Sequence, residues 1–549
     1  MSEMIPGFRN CYRFLAPYLR PYRSLFAAAA AATVAAALLL CIEPLIQRGL
    51  INALTSGTAR SAWWFGIAVA GCIGLRRLLH AAGAAAGARA AAGVTGMVSS
   101  ALVRRLLELP LGILREHGSG YLSGRIAADC ENMQFLYSGG MFGLLANLLR
   151  LGGGMIFLFW LDWRVGSAAL AVLPFYGWLL AAFRRRQYRL SSRYGETVAE
   201  NSRQLNVVFG GAAQIKSSAA EEQLAARITD RFRRLAAIKI RRNELGIGFQ
   251  FAQQLLPGIG QLLLVLAGIG MILRGEWTLG GLWALCRYLE FVFAPARDLS
   301  GGVMRMHFAL AAAARVMALA HRVPEPRLVG GIVPQRLRGG IRFRKVGFAY
   351  PGRPRLFRNL SFRVRPGETV ALFGASGCGK TTLVNLLLLL LRPDSGEIRI
   401  DGVPLEDYNA RQLRRRIGYI GQNSEFLRAT LRENLCWGCS CEVSPRKLRR
   451  ALNRVGLGMM DPACRVLENA SNFSGGERLR LALARELLRD SDIVILDEAT
   501  ANLDAESEQR ILRMVRHEFR SRTVILISHR RRVLHYADRI IRVGGKESV

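Results

Sequence analysis

The sequence predicts a multi-domain membrane protein, in which an all-α six-helix transmembrane domain is followed by an α/β domain. Of the 549 residues, 51% are hydrophobic and 21% are charged. The two classes are segregated, since residues 24–47 and 255–273 are nearly free of charge whereas residues 334–549 are rich in arginine. After residue 341, short apolar segments alternate with helical stretches, a pattern typical of a mainly parallel sheet covered by helices.

Residues 1–23, ahead of the first apolar stretch, are predicted to form an amphipathic helix on the inner membrane surface. Aromatic and leucine residues between Phe8 and Leu19 interleave with arginines, among them Arg9 and Arg13. This mixture is typical of a helix that lies in the membrane interface. The segment has no apolar core of the kind that a signal peptide requires, and an ordinary surface helix is the alternative.

Residues 24–320 are predicted to form the transmembrane domain. A helix needs about 20 apolar residues to cross the hydrocarbon core of a membrane. The predicted spans are residues 24–51, 62–90, 138–161, 165–183, 248–273 and 279–299. Long polar helical stretches join the second span to the third and the fourth to the fifth. These connections are therefore expected on the inner side, and the short connections on the outer side.

The net charge of +36 is explained by membrane topology. The expected outer loops, residues 55–61, 162–164 and 274–278, are short and nearly neutral, whereas the inner stretches are rich in arginine. That asymmetry follows the positive-inside rule. The arginines form no single stripe and accompany no nucleic-acid motif, so no nucleic-acid partner is expected. The second domain is expected in the cytoplasm, and the Arg- and Ala-rich composition favours a bacterial plasma membrane.

Residues 321–340 are predicted to be a linker, because they contain Pro324, Pro326, Pro334 and paired glycines. The second domain is expected to comprise residues 341–549. Its predicted strands are residues 341–348, 368–373, 398–400, 493–496 and 523–527.

A phosphate-binding loop follows the apolar segment Thr369–Phe373. The run from Gly374 to Thr381 fits the pattern G-x-x-x-x-G-K-[ST], and a helical stretch comes directly afterwards. In such a loop, backbone N–H groups cradle phosphates at the positive end of the helix. Lys380 is expected to reach the β and γ phosphates, and the Thr381 hydroxyl is expected to bind Mg²⁺.

Two carboxylates, Asp497 and Glu498, follow the apolar strand at residues 493–496. Asp497 is expected to hold Mg²⁺, directly or through water. A carboxylate beside the metal can act as a general base, so Glu498 is the candidate for activating the attacking water. A pair of solvated turn acids is the alternative interpretation.

The run from Phe473 to Arg478, Phe-Ser-Gly-Gly-Glu-Arg, lies between the phosphate loop and these carboxylates. It resembles the signature of the ATP-binding cassette (ABC) family, and the chain as a whole resembles an ABC exporter half-transporter of type IV. Residues 116–125 and 213–216 resemble the two coupling segments of these exporters, and residues 157–163 resemble the close of their third helix. The α/β domain is accordingly identified as a P-loop NTPase of the cassette type.

The resemblance implies that the signature binds the ATP held by a second cassette, so the chain would work in a dimer. The signature residues are Ser474, Gly475, Gly476 and Glu477. Phe473 stands where leucine is usual, and Glu477 stands where glutamine is common. Neither change removes the helix start, whose bare N–H groups and positive dipole bind an anion.

The resemblance also implies roles for single residues. Tyr350 would stack on adenine, although a core tyrosine is the alternative, and Gln422 would contact Mg²⁺ and sense the membrane domain. His529 would contact the γ-phosphate and hold Glu498, which makes these two the catalytic pair. Asp504 would link the two ATP sites. The expected ATP-binding residues are Tyr350, Gly374, Ala375, Ser376, Gly377, Cys378, Gly379, Lys380, Thr381, Thr382 and Gln422, and the expected Mg²⁺ ligands are Thr381, Gln422 and Asp497.

Glu468 would meet a coupling segment, since Val466-Leu467-Glu468 resembles the end of an exporter-specific loop. The flanking glycines of that loop are replaced in this chain.

The function expected from the resemblance is ATP-driven export of a small or amphipathic substrate by alternating access. Both ATP sites of a homodimer would be complete, because no catalytic residue is replaced. A heterodimer with a related half-transporter is the main alternative. Two further alternatives are a membrane ATPase that serves as a regulatory switch and a soluble ABC ATPase.

Ionisable residues in the predicted spans point to the cargo. They are Arg76, Arg77, His80, Arg150, Arg287 and Glu290. Charged residues in membrane spans usually face a cavity or a partner, which suggests a basic cavity for anionic or amphipathic cargo. The alternative is that the arginines reach the inner interface and that Arg287 pairs with Glu290.

The ten cysteines are scattered, and those expected in the cytoplasm should be reduced thiols. Cys436, Cys439 and Cys441, with Cys464 further on, suggest a metal site. Their C-x-x-C-x-C spacing fits no standard zinc pattern, so ordinary loop thiols are favoured.

Overall fold

The computed structural model describes residues 8–543, apart from residues 118, 327, 329, 376, 423, 440–441, 468–469 and 502. The chain divides into two compact units, Met1–Leu107 with His117–Arg322, and Glu108–Glu116 with Val323–Val549. A helical part is thus followed by a part that contains β-sheets, which confirms the predicted fold class. Residues 108–116 belong to the second unit although the sequence places them between two predicted spans.

The helices up to residue 320 are α1 (Phe8–Leu19), α2 (Arg23–Thr55), α3 (Ala59–Leu106), α4 (Leu111–His117), α5 (Ser119–Gly124), α6 (Cys130–Met133), α7 (Gly139–Leu161), α8 (Trp163–Gly210), α9 (Ala212–Ser217), α10 (Glu221–Leu273) and α11 (Leu279–Ala320). A π-helical turn at Arg125–Asp129 and 3₁₀ turns at Arg20–Tyr22 and Gln134–Leu136 connect some of them. Helices α3, α8, α10 and α11 extend well beyond the predicted spans that they contain.

Within the described part of the chain, five helical stretches are long and apolar enough to cross a membrane by length and composition. They are Arg9–Thr55, Ala59–Leu106, Leu122–Leu161, Glu221–Leu273 and Leu279–Ala320. These stretches contain five of the six predicted spans. The remaining span, residues 165–183, lies in α8, some of whose side chains fall outside the described set.

Small residues allow the helices of the first unit to pack closely. A Cβ added at Gly83 of α3 would lie 3.0 Å from the Cβ of Ala32 in α2. A Cβ added at Gly154 of α7 would lie 2.9 Å from the Cβ of Phe291 in α11. Close van der Waals packing of this kind holds helices together where surrounding lipid supplies no hydrophobic driving force.

The second unit contains two sheets and a set of helices. Its strands are β1 (Ile341–Ala349), β2 (Arg355–Val364), β3 (Thr369–Phe373), β4 (Ser395–Ile400), β5 (Val403–Pro404), β6 (Ile417–Ile420), β7 (Ile493–Asp497), β8 (Thr523–Ser528) and β9 (Arg539–Arg542). Its helices beyond residue 320 are α12 (Lys380–Leu387), α13 (Ala410–Arg416), α14 (Leu431–Leu435), α15 (Pro445–Arg454), α16 (Gly475–Arg489) and α17 (Ala505–Glu518), with 3₁₀ turns at Leu405–Asp407 and Arg531–Tyr536.

The larger sheet is parallel and has the strand order β6-β7-β8-β3-β9. Strands β7 and β8 are buried along their whole length, as expected for a parallel sheet covered on both faces. In this sheet Asp497 lies opposite Ile527, and Phe373 lies opposite Ser528. The residues that follow β3, β7 and β8 therefore meet at one edge.

The smaller sheet is antiparallel, with the order β2-β1-β4-β5. The sequence predicted strands at 341–348 and 398–400 as parts of one mainly parallel sheet, and the structure instead places both in this separate sheet. The physical reason is visible in β1, where buried Ile341 and Phe343 alternate with exposed Arg342 and Arg344. Such alternation is typical of an antiparallel sheet with one open face.

Two apolar cores fill the second unit. One joins the two sheets and includes Val364, Leu386 and Ile400. The other lies among α14, α15, α16 and α17 and includes Leu452 and Leu481. The first core supports the phosphate loop, and the second supports the start of α16, where the signature lies.

Candidate functional site

The phosphate loop connects β3 to α12 in a conformation that its glycines permit. Gly377 and Gly379 have φ values of +81° and +100°, which side-chain-bearing residues rarely adopt. A Cβ added at Gly379 would lie 2.5 Å from the ring of Phe357, and one added at Gly374 would lie 2.7 Å from the Sγ of Cys378. The loop is therefore packed tightly against its own unit. Ser376, which also belongs to the predicted ATP-binding set, lies outside the described residues.

Lys380 lies inside this loop. Its side chain is 5% exposed, and its Nζ donates hydrogen bonds to the carbonyls of Gly374 and Ala375, each at 2.9 Å. The same Nζ lies 3.7 Å from Oε1 of Glu498. The ammonium group is thus held at the centre of the loop by neutral acceptors, with one carboxylate at a longer distance.

Asp497 ends β7 and is almost completely buried. Burial raises the pKa of its carboxyl group, while hydrogen bonds from Thr381 and Tyr419 and the charge of Lys380 oppose that rise. A buried carboxylate beside the threonine hydroxyl forms a pair of hard oxygen donors of the kind that Mg²⁺ prefers. These two residues therefore fit the metal that the sequence predicts.

Glu498 lies at a strained point of the backbone, with a φ of +49° directly after β7. Its N–H donates to the carbonyl of Ile527 in β8 at 3.0 Å, which ties this turn to the neighbouring strand. Its Oε1 lies 3.5 Å from Nδ1 of His529, which follows β8. The structure thus brings the predicted catalytic pair together, and places Glu498 beside Lys380.

Two other predicted nucleotide residues lie near the loop but differ in exposure. Tyr350 is half-buried, and its hydroxyl lies 3.1 Å from Oγ1 of Thr382 in α12, while its ring meets Phe348 edge-on at 5.0 Å. Gln422 is exposed and follows β6, the strand next to β7. The adenine role of Tyr350 and the metal role of Gln422 remain predictions.

The predicted signature begins α16, on the helical core. The Ser474 hydroxyl accepts a hydrogen bond from the Glu477 N–H at 3.3 Å, and the Ser474 N–H donates to Oε2 of Glu477 at 2.8 Å. This reciprocal pair is a capping box. The N–H and hydroxyl of Ser474 hold the pKa of Glu477 below its usual value, so the carboxylate is charged at neutral pH.

Asp504, the predicted link between ATP sites, caps α17. Its Oδ1 accepts hydrogen bonds from the N–H groups of Glu506 and Ser507, at 3.1 and 2.9 Å. Those bonds hold the pKa of Asp504 below its usual value. The carboxylate therefore has a structural role within the chain, whatever it contacts in an assembly. Glu468 lies outside the described residues.

Tyr419 was not predicted from the sequence as a site residue, but its hydroxyl donates to Oδ2 of Asp497 at 3.3 Å. Tyr419 lies in β6 opposite Ile495 of β7, so its proximity to Asp497 follows from strand order. A tyrosine three residues before Gln422 carries no signal by itself. The order β6-β7 would have been needed to find it.

A second candidate site is a cavity of about 340 Å³ within the helical unit. Arg76, Arg77 and His80 of α3 line it together with Asn147 and Arg150 of α7. The Nε–H of Arg150 is buried and has no hydrogen-bond acceptor among the described residues. Four of the six ionisable residues predicted to face a cavity therefore share one.

Glu43, which was not predicted from the sequence, modifies the charge of this cavity through its pair with Arg76. Glu43 of α2 is 6% exposed, and its Oε2 lies 3.1 Å from Nε of Arg76. Gln47 donates to its other oxygen at 3.1 Å. Arg287 and Glu290 of α11 instead pair with each other at 2.6 Å, as the alternative interpretation expected.

Cysteines of the second unit have ordinary surroundings. Cys436, Cys439 and Cys464 are half-buried against the helical core, and burial raises the pKa of the Cys436 and Cys464 thiols. In the part of the chain that the structure describes, no group of three or more His, Cys, Asp or Glu side chains is arranged to hold a metal ion. Cys441 lies outside that part.

Comparison with known proteins bears on both units. Residues 25–296 match the ABC transporter transmembrane region, and residues 357–501 match the ABC transporter family. The chain is 28% identical to an ATP-dependent lipid A-core flippase of Thiobacillus denitrificans, over 98% of this chain and 94% of the relative. It is 32% identical to an ATP-dependent lipid A-core flippase of Burkholderia orbicola, over 73% and 69% of the two chains. It is also 30% identical to the ABC transporter B family member 26, chloroplastic, of Arabidopsis thaliana, over 77% and 62%.

Proposed function

We propose that this chain, which belongs to the ABC transporter family and is an ATP-hydrolysing export ATPase, works as a homodimer that moves an amphipathic anion across the plasma membrane. Two ATP molecules would lie between two cytoplasmic cassettes. The observation that carries this proposal is the convergence of Lys380, Thr381, Asp497, Glu498 and His529 at one edge of the parallel sheet.

Each of these side chains has a role that its surroundings support. Lys380 contacts the β and γ phosphates, since its ammonium group is held within the loop by two carbonyls. Glu498 accepts a proton from the attacking water as general base. His529, 3.5 Å from Oε1 of Glu498, holds that carboxylate in place and contacts the γ-phosphate.

Mg²⁺ would be held by the Thr381 hydroxyl and the Asp497 carboxylate, with Gln422 as a further oxygen donor. The ion neutralises charge on the phosphates when bound. A cation beside Asp497 also offsets the cost of keeping a buried carboxylate ionised, which the raised pKa of this group reflects. The ionised form of Asp497 is therefore favoured more when Mg²⁺ is bound than when it is absent.

The separation of the two motifs supports a dimer. Within one chain, Lys380 and Glu498 belong to the sheet edge, whereas Ser474–Glu477 begin a helix on the other core. Each signature would bind the ATP held by the partner cassette. Binding of two ATP molecules would close the cassettes and turn the membrane cavity outward, and hydrolysis would reset it.

The cargo proposal rests on the cavity between α2, α3 and α7. Arg77, His80 and Arg150 line it, and the buried Nε–H of Arg150 offers an unused donor to an anionic group. Several relatives are named ATP-dependent lipid A-core flippases. The charged group of an amphipathic anion could bind the basic lining, and its apolar part could contact the surrounding helices.

The first test measures ATP turnover by the chain alone, reconstituted in lipid, beside Glu498→Gln and the control Glu506→Gln. Glu506 is an exposed acid in the first turn of α17. Loss of a general base is expected to lower turnover by about 10²- to 10⁴-fold, whereas the control should match the wild type. Brisk Mg²⁺-dependent turnover by the chain alone would support the homodimer. Negligible turnover despite ATP binding would point to a related partner chain instead.

The cargo test compares Arg77→Gln and Arg150→Gln with Arg274→Gln, an exposed residue of the expected outer loop. Arg76 is avoided, because its loss would leave the buried Glu43 without a counter-charge. We expect the two cavity variants to need more phosphatidylglycerol for half-maximal stimulation of ATPase, with no change for a zwitterionic lipid. Unchanged stimulation in both variants would refute the basic cavity as the cargo site.

A further inference from the structure

Arg530 follows His529 directly, and the nucleotide chemistry does not account for its side chain. Its guanidinium donates to the carbonyl of Ala501 at 2.5 Å and to the carbonyl of Leu503 at 3.2 Å. Both carbonyls belong to residues 499–504, which connect Glu498 to helix α17 and are called the connecting loop here. His529 therefore lies beside Glu498, at the start of this segment, while the next residue, Arg530, bonds to the connecting loop that follows Glu498.

A buried carboxylate fixes the position of this arginine. Glu508 of α17 is 2% exposed, and its Oε1 lies 3.4 Å from Nη1 of Arg530. The same oxygen accepts a hydrogen bond from the hydroxyl of Thr500 at 2.7 Å. Glu508 therefore joins Arg530 to the first half of the connecting loop, while the guanidinium holds the second half.

The connecting loop reaches the signature as well. The side chain of Leu503 packs against the helical core, as does that of Phe473. Its Cδ2 lies 3.7 Å from the position that a Cβ on Gly476 would occupy, so Leu503 borders the start of α16. A continuous set of contacts therefore runs from Glu498 and His529, through Arg530 and Leu503, to Gly476.

We propose that Arg530 is a positioning residue that makes the connecting loop, His529 and the start of α16 move together. When His529 shifts with the state of its own ATP, Arg530 draws the carbonyls of Ala501 and Leu503 with it. Leu503 then changes the position of the signature. This inference rests on the proposed dimer, in which that signature binds the partner's ATP, so Arg530 would couple the two sites.

The test replaces Arg530 by lysine in the full-length protein in lipid, with Arg532→Lys as the matched control. Lysine keeps the charge beside Glu508, but it lacks the rigid fork that reaches two carbonyls at once. Arg532 is an exposed arginine of the 3₁₀ turn Arg531–Tyr536. Turnover is measured as a function of ATP concentration, and thermal unfolding is measured for each protein.

We expect Arg530→Lys to lower kcat by about tenfold, within the range of about 2- to 30-fold that changes in a coupling element produce. The KM for ATP should stay within about twofold, because no atom of Arg530 belongs to the phosphate loop. The Hill coefficient for ATP should fall toward 1, and the unfolding temperature should match that of Arg532→Lys. Glu508→Gln should act in the same direction, and the double variant should be less severe than the product of the two effects.

A second measurement is independent of turnover. In a Glu498→Gln background, ATP should protect amides of residues 499–504 and 474–480 from hydrogen exchange together. With Arg530→Lys added, protection of the phosphate loop should remain while protection of residues 474–480 is lost. Unchanged protection at both segments would overturn the proposal, as would a kcat equal to that of Arg532→Lys.

The outcomes separate this inference from the proposed function. Wild-type protein that binds ATP but does not turn it over would contradict the self-sufficient homodimer. ATP-dependent protection of residues 499–504, which Arg530 contacts within its own chain, would then still decide whether Arg530 ties the connecting loop to His529. Active wild type with an equally active Arg530→Lys variant would refute the inference alone.

Discussion

Replacing Tyr419 by phenylalanine should weaken the Mg²⁺ site without disturbing the fold. The substitution removes only the hydroxyl that donates to Oδ2 of Asp497. Asp497 is buried, and burial already raises its pKa against the opposing hydrogen bonds of Thr381 and Tyr419. Loss of one of these bonds should therefore raise the pKa further and make the ionised carboxylate harder to maintain.

The size of the effect follows from the geometry. Hydrogen bonds to charged groups contribute about 1.5–3 kcal/mol, but the 3.3 Å distance is beyond the usual O–H···O range. A value of about 1 kcal/mol is reasonable, which corresponds to about a fivefold change in an equilibrium constant. We therefore expect about fivefold more Mg²⁺ to be needed for half-maximal ATPase activity. The acid limb of the pH–rate profile should move to higher pH, because Asp497 must be ionised to bind the metal.

The matched control is Tyr408→Phe. The hydroxyl of Tyr408 is buried and donates to the carbonyl of Ile400 at 3.1 Å, in the antiparallel sheet. The same atom is thus removed from a bond of similar length that does not involve the nucleotide site. ATPase activity is titrated with Mg²⁺ at saturating ATP for both variants, at several pH values, and thermal unfolding is recorded.

If Tyr419→Phe left both the Mg²⁺ requirement and the acid limb unchanged, the Tyr419 hydroxyl would have no part in keeping Asp497 ionised for the metal. A loss of thermal stability alone, equal to that of Tyr408→Phe, would show that the Tyr419 hydroxyl serves the fold and not the metal site.

Three further changes test other parts of the structure. Gly379→Ala should abolish ATP binding and lower the unfolding temperature, because the added Cβ would lie 2.5 Å from the ring of Phe357. Its control is Gly352→Ala, since Gly352 also has a positive φ but has open space around it; this change should lower the free energy of unfolding by only about 1 kcal/mol, measured by calorimetry. Glu477→Gln should reduce the fall in unfolding temperature that the wild type shows as the pH is lowered, measured in a fluorimetric melt. The pKa of Glu477 is lower in the folded protein than in the unfolded chain, so its ionised carboxylate stabilises the fold above the unfolded-state pKa, and this stabilisation is lost as the pH falls through the folded-state pKa. Glu43→Gln should lower the phosphatidylglycerol concentration that half-stimulates ATPase, because Arg76 would then carry an uncompensated charge at the cavity. An unchanged half-stimulating concentration would mean that the Glu43–Arg76 pair does not set the charge that the cargo meets.

The parts of the site that could be predicted from sequence are those encoded in contiguous runs. Gly374–Thr381 specify a loop between a strand and a helix, and Asp497-Glu498 follow an apolar strand directly. Because parallel strands present their carboxyl ends at one edge, the proximity of Lys380 to Glu498 follows from those runs. Membrane helices were likewise recognisable, since an apolar stretch of sufficient length is itself the signal.

What could not be predicted depends on tertiary arrangement. Tyr419 reaches Asp497 only because β6 lies next to β7. Arg530 reaches Ala501 only because β8 lies on the other side of β7. Glu43 interrupts an apolar stretch, but its counter-charge Arg76 is on another helix. The separate antiparallel sheet was missed for the same reason, because alternation in β1 indicates an open face without indicating which strands pair there.

The start of α16 supports the proposal that the signature binds the ATP held by a second cassette. The first N–H groups of a helix have no partner within the helix. The capping box satisfies those of Ser474 and Glu477. It leaves the amides of Gly475 and Gly476 between them, and a Cβ at Gly475 would meet nothing within 4 Å. Neither amide has an acceptor within the part of the chain that the structure describes, and two such amides at the positive end of a capped helix suit a phosphate oxygen. The phosphate loop of the same chain is built on the other core, so an anion carried by a second cassette, as in the proposed dimer, is the ligand that these amides suit best.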